Sequence, residues 1–291
     1  MLAAVKILIA ITVSTTMLGL GLRLQVEALR QWCRHPQLPL RLLLGSCLLV
    51  PVAGLLFLNA SWSGSISRAG REAIALMALC PSAPMALRKA RGLGDDQQLT
   101  ALVQVSAALL AIVTIPGMGA LFRWNLGVEG WDVLPQHVAL QVGQIQVIPL
   151  LLGLGLRQWL PNRADRLAAA ISTLANGLLL VTLVVVLAVA VPLLRQFLPG
   201  NWLALLTMLL LACTALLIGR TMAGPGSEHG RSGSIVTAMR NPGLALLFAN
   251  QHSSELKMST AAILIYVLIT LALMQILIRP RRFGPSLAAK E

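Results

Sequence analysis

Apolar residues run along this chain in blocks of about 20, separated by short polar or charged connections. Blocks of that length suit helices that cross a hydrocarbon layer roughly 30 Å thick. They predict nine spans, at 4–22, 38–60, 66–91, 97–122, 138–156, 165–195, 202–222, 230–250 and 256–278. The stretches are too long for barrel strands, which alternate over about 10 residues. The expected fold class is an all-α polytopic membrane protein with about nine transmembrane helices. No long hydrophilic insertion interrupts the pattern, so residues 1–291 read as one membrane domain.

Two of the blocks are broken in the middle, one by Cys80-Pro81-Ser82-Ala83-Pro84 and one by Arg240-Asn241-Pro242-Gly243. Proline removes a backbone donor, and each break strands N–H and C=O groups at membrane depth. Such backbone is tolerated only where protein buries it or water reaches it, and paired broken helices point to the substrate site of a secondary transporter. The breaks fall in spans three and eight, each the middle of a triplet (two to four, seven to nine). An offset of five spans reverses the direction of crossing, so the triplets read as an inverted repeat, the arrangement that supports alternating access. A second repetition, Leu-Gly-Leu-Gly-Leu-Arg at 18–23 and 152–157, keeps its direction. It reads as two helices ending alike, with small residues that allow close packing.

Composition agrees with the pattern: 57% of residues are hydrophobic, 11% are charged, and the mean hydropathy is +0.79. The formal charge of +13 would suggest nucleic acid in a soluble protein. Its distribution instead sets topology. With the N-terminus outside, sixteen of the 23 Lys and Arg fall in cytoplasmic loops and six outside, leaving Arg240 within the membrane. The positive-inside rule thus places the N-terminus out and the C-terminus in the cytoplasm, as in a bacterial inner membrane, with no nucleic acid as partner. Lys6 followed by an apolar run to Leu22 imitates a signal peptide, but no small-x-small cleavage site follows, and the segment reads as a span.

Arg240 is the one clearly intramembrane charge. A guanidinium in hydrocarbon costs several kcal/mol unless paired or hydrated, so it is expected to face its break. Two roles stand side by side: an anchor for a carboxylate or sulfonate, or a structural cation that satisfies free carbonyls of the broken helix. Asn241 can donate and accept beside the break, while Pro242 and Gly243 keep the helix open. Ser82 offers a hydroxyl between Pro81 and Pro84. Thr100 and Gln104 form an i,i+4 pair on span four that could look into the crossing. Thr12, Ser14, Thr15 and Thr16 of span one and Asn176 of span six could line the opposite wall. Arg88 and Lys89 read as inside-positive anchors or as an electropositive cavity mouth. The acidic residues, Glu72 among them, fall in loops, tails or span ends, and Asp95 and Asp96 suit the start of span four. A cation-coupled carrier would want a carboxylate deeper than any of these. His35, His137, His229 and His252 cluster with no ligand or triad partner, and no Walker or dinucleotide motif is present, so neither an enzyme, a metal site nor a cofactor is expected.

These residues resemble the bile acid:sodium symporter family. Gly19 to Leu29 is similar to its "GxGL-x-L" span end. Leu79-Cys80-Pro81 looks like its "CCPGG" crossing, and Leu99 to Pro116 like the helix that follows. Arg231 through Leu244 is similar to its "R-x4-E-x-G-x-Q-N-x-G-L" segment. The resemblance implies a core domain, here 38–122 and 202–278, and a panel domain, here 4–22 and 138–195, with one panel helix fewer than ten-span bacterial members. The departures concern sodium. Val236 stands at the family's sodium-binding Glu, Arg240 at its Gln, and Ala86-Leu87 at its Ser-Asn pair, whereas Asn241 and Thr100 are kept.

The expected function is a secondary transporter of a small or amphipathic organic anion by alternating access, without the family's sodium sites. Its substrate would meet Arg240, Asn241, Ser82, Thr100 and Gln104. Two alternatives are a sodium-coupled symporter with substitute ligands and a non-transporting membrane sensor or partner subunit.

Overall fold

The computed structural model describes residues 2–278 except 26, 28–29, 31–33, 35, 82–84, 94, 127–134, 225–226, 228 and 253–255. Among the described residues there is no strand, and seven helices are long and apolar enough to cross a membrane. In chain order the helices are α1 (Leu2–Arg23), α2 (Gln37–Asn59), α3 (Arg68–Leu79), α4 (Met85–Gly92), α5 (Gln97–Leu126), α6 (135–159), α7 (Pro161–Phe197), α8 (Trp202–Met222), α9 (Gly230–Ala238), α10 (Pro242–His252) and α11 (Leu256–Leu277). The chain is an all-α multi-pass membrane protein. Leu174, Leu180, Val181 and Val184 on α7 are exposed, an apolar face suited to acyl chains.

Where the sequence predicts broken spans, the structure has two pairs of half-helices, α3 with α4 and α9 with α10. Both first halves end alike. Cys80 N–H donates to Leu76 O and Met239 N–H to Ile235 O, each at 3.0 Å, and both residues are extended (φ −86°, ψ 97° and φ −75°, ψ 95°). Ser82 and Pro84 lie outside the described residues.

Two other helices carry a π-helical turn, Gly45–Leu49 in α2 and Gly143–Val147 in α6. Each begins at a glycine and precedes a proline, Pro51 and Pro149, by the same spacing. A proline inside a helix lacks the N–H that the preceding turn requires, and widening to a π turn absorbs the mismatch. In α2 the Val50 N–H reaches back to Gly45 O, and the next carbonyl in that pattern, Ser46 O, faces Pro51 and finds no backbone donor.

Close packing is set by glycines. The α1 helix lies against α6 and α7. A Cβ on Gly21 would sit 2.2 Å from Leu150 O, and one on Gly153 2.3 Å from Leu18 O. The two copies of Leu-Gly-Leu-Gly-Leu-Arg therefore pack on each other, shifted so that the second glycine of one meets the first glycine of the other. Ser14 Oγ donates to Ile145 O (3.1 Å), a carbonyl within the π turn of α6. A comparable contact joins α8 to α9, where a Cβ on Gly219 would lie 2.2 Å from Gly233 O.

Candidate functional site

The two breaks meet directly: Asn241 N–H donates to Cys80 O at 3.1 Å. Asn241 Oδ1 accepts from Leu244 N–H at 3.1 Å and so caps α10, while its Nδ2 is buried without a hydrogen-bond partner. Gly243 allows the α10 start to approach α1, since a Cβ there would lie 2.9 Å from Val13 Cγ2. Pro242 begins α10, where its missing donor has no consequence.

Arg240 lies at the junction with 2% of its surface exposed. Its Nε donates to Met77 O (2.9 Å) and its Nη2 to Ala78 O (2.5 Å), carbonyls of the last turn of α3. Its Nη1 donates to Ser46 O and Ser46 Oγ, both at 2.9 Å, and more weakly to Thr237 O (3.4 Å) at the end of α9. Carbonyls in the last turn of a helix have no intrahelical donor. The guanidinium thus gathers unsatisfied acceptors from two half-helix ends and from the π turn of α2. Each helix C-terminus carries about half a negative charge, so the two together offset about one positive charge.

A cleft of about 100 Å³ is lined by Thr16 and Arg23 of α1, Arg88 of α4, Gln104 of α5, and Ser172 and Asn176 of α7. Gln104 is 1% exposed, and neither atom of its amide has a hydrogen-bond partner. A buried amide in that condition is costly unless something occupies the space it faces. Arg23 Nε donates to Ser172 Oγ (2.9 Å) across the cleft. Among the described residues no carboxylate lines it. Thr100 is fully buried away from the cleft, and its hydroxyl donates to Asp96 O (2.8 Å) within its own helix. Thr12, Thr15 and Thr16 likewise bond back to α1.

Several polar partnerships escape a sequence-level view. Glu72 does not sit at a span end but one turn inside α3, 3% exposed, accepting from Arg68 Nε (3.3 Å) and Ser259 Oγ (2.7 Å). Asp96 caps α5 by accepting from Leu99 N–H (2.9 Å), while Asp95 pairs with Arg231 of α9. His229 has a carboxylate close by after all, with Nδ1 3.5 Å from Asp96 Oδ2.

The family model described as the sodium bile acid symporter family matches residues 10–197, well over half of the chain. The chain belongs to that family. Its members are transporters, and membership places this protein in a lipid bilayer acting on a small organic substrate. The match runs from α1 to the end of α7, so it includes the first break and the cleft-lining residues named above, and it stops before the second break with Arg240. A search of curated proteins returns no match.

Proposed function

We propose that the chain is a sodium-independent secondary carrier of a small or amphipathic organic anion. Arg240 serves as the internal cation of the crossing. The observation that carries the proposal is the guanidinium's position: it spans the C-terminal carbonyls of both half-helices, where a free cation would otherwise be favoured. With its donors directed to protein acceptors, Arg240 acts on the substrate through the electrostatics of the crossing, and the direct contacts fall to Gln104, Arg23 and Arg88 in the cleft. Asn241 Nδ2 is a further donor at the junction. Two basic side chains and an unpartnered amide, with no carboxylate among the described residues, suit a carboxylate or sulfonate joined to an apolar body.

In this proposal nine spans divide into a core (38–122 and 202–278) and a panel (4–22 and 138–195), with the two triplets of the core related as an inverted repeat. The packing of α1 on α6 and α7 supports the panel, and the matching ends of α3 and α9 support the repeat. The N-terminus faces outward and the C-terminus the cytoplasm of a bacterial plasma membrane. Rocking of core against panel then opens the cleft to either side.

In proteoliposomes, uptake of a transported anion is expected to be the same with sodium replaced by choline. Strict dependence on sodium would overturn the proposal in favour of a symporter with substitute ligands. Gln104→Ala is expected to raise KM about tenfold, the cost of one lost hydrogen bond to a charged group, with little change in kcat.

A further inference from the structure

A second hollow, of about 400 Å³, lies between α4 and the end of α11. Its polar side carries Arg88, Lys89 and Gln275; its apolar side is made by Met85, Met239 and Leu271, among others. Lys89 Nζ donates to Gln275 Oε1 at 3.2 Å, which holds the ammonium at the rim. Among the described residues no carboxylate lines the hollow and no residue of α1, α6 or α7 does; it meets the cleft at Arg88.

We propose that this hollow binds the phosphate headgroup of an acidic phospholipid. The assignment of its rim to the cytoplasmic leaflet rests on the orientation proposed above. Two cations beside an apolar wall match a phosphodiester followed by glycerol and the first acyl methylenes, and basic pockets between helices at that face attract anionic lipid. The two methionines supply a wall that adapts to chains of differing shape.

The site connects to the transport machinery in two ways. Arg88 lines both the hollow and the cleft, so a phosphate in the hollow draws its guanidinium to one side. A small cavity of about 20 Å³ shares Met85, Met239 and Leu271 with the hollow and borders Arg240. A bound lipid therefore sits one layer of side chains from the crossing.

The test is thermal stability of the full-length protein in detergent, titrated with phosphatidylglycerol, phosphatidylcholine or soluble glycerol phosphate. Phosphatidylglycerol is expected to raise Tm saturably, and the other two are not. Lys89→Gln is expected to weaken the phosphatidylglycerol response about fivefold, the share of one basic residue near a charged interface, with Tm in its absence unchanged. Arg166→Gln, which removes an exposed cation outside the hollow, should leave the response intact. If Lys89→Gln fails to fold, Lys89→Arg keeps the charge and should keep the response. An unaltered response in Lys89→Gln would overturn the site, and so would an equal loss in Arg166→Gln. A glycerol phosphate effect as strong as the lipid's would replace the lipid with a soluble phosphate. Because the readout is lipid binding and not flux, a failed transport assay with an intact lipid response would sink only the carrier reading.

Discussion

Arg240→Leu is expected to yield little or no folded protein, and Arg240→Lys an intermediate loss. Leucine fills much of the volume but leaves Met77 O, Ala78 O and Ser46 O buried without donors. Each orphaned carbonyl costs about 1–3 kcal/mol, so the total is about 5 kcal/mol. None of the three can turn to its own helix: two belong to the final turn of α3, and Pro51 removes the donor that Ser46 O would use. Lysine keeps the charge but replaces a planar fork with a single ammonium that cannot reach all these acceptors together. The measurements are the monodisperse yield and the Tm of each variant. A second comparison addresses the cation directly. The double variant Val236→Glu with Arg240→Gln removes the internal charge and supplies a carboxylate nearby, and it is expected to gain Tm with added sodium chloride over choline chloride. The native protein is expected to show no difference. Native stabilisation by sodium would count against Arg240 as the resident cation.

The breaks are legible in the sequence because proline and glycine interrupt apolar blocks that otherwise run unbroken. The limits of α8 coincide with the predicted 202–222 for a related reason: Asn201 and the glycine-rich stretch after Met222 bracket an uninterrupted apolar run. The partners of Arg240 are a different matter. Most are main-chain carbonyls 162, 163 and 194 positions away, and any residue type supplies a carbonyl. What makes these carbonyls available is geometry, a helix end and a π turn. The π turn does leave a trace in the spacing of Gly45 to Pro51, repeated at Gly143 to Pro149, but only a folded helix reveals which carbonyl it strands. Glu72 is hidden in the same way, since Ser259 lies 187 positions away. The cleft was partly legible: Thr16, Gln104 and Asn176 are polar residues in apolar blocks and the structure brings them together. Thr100, on the same helix as Gln104, spends its hydroxyl on Asp96 O and stays outside the cleft, a choice of rotamer that the i,i+4 spacing does not encode.

Gly21→Val is expected to destabilise the protein by about 3 kcal/mol, while Gly155→Ala is expected to have no measurable effect. The two glycines come from the same six-residue motif, so composition alone does not separate them. A Cβ on Gly21 meets backbone, Leu150 O at 2.2 Å and Leu154 N at 2.9 Å, whereas one on Gly155 meets nothing within 4 Å. Backbone cannot rotate aside as a side-chain tip can, so α1 and α6 must separate, and the dispersion contacts along their interface weaken together. Gly153→Ala is expected to act like Gly21→Val, because its Cβ would lie 2.3 Å from Leu18 O. The consequence reaches the cleft. Thr16 and Arg23 stand on the same helix as Gly21, and Arg157 Nη1 ties the end of that helix to α6 by donating to Leu22 O. Any fraction of Gly153→Ala that folds at low temperature should therefore show a raised KM as well as a lowered Tm. A Gly21→Val protein with native Tm and native KM would mean that the two motif copies do not pack on each other.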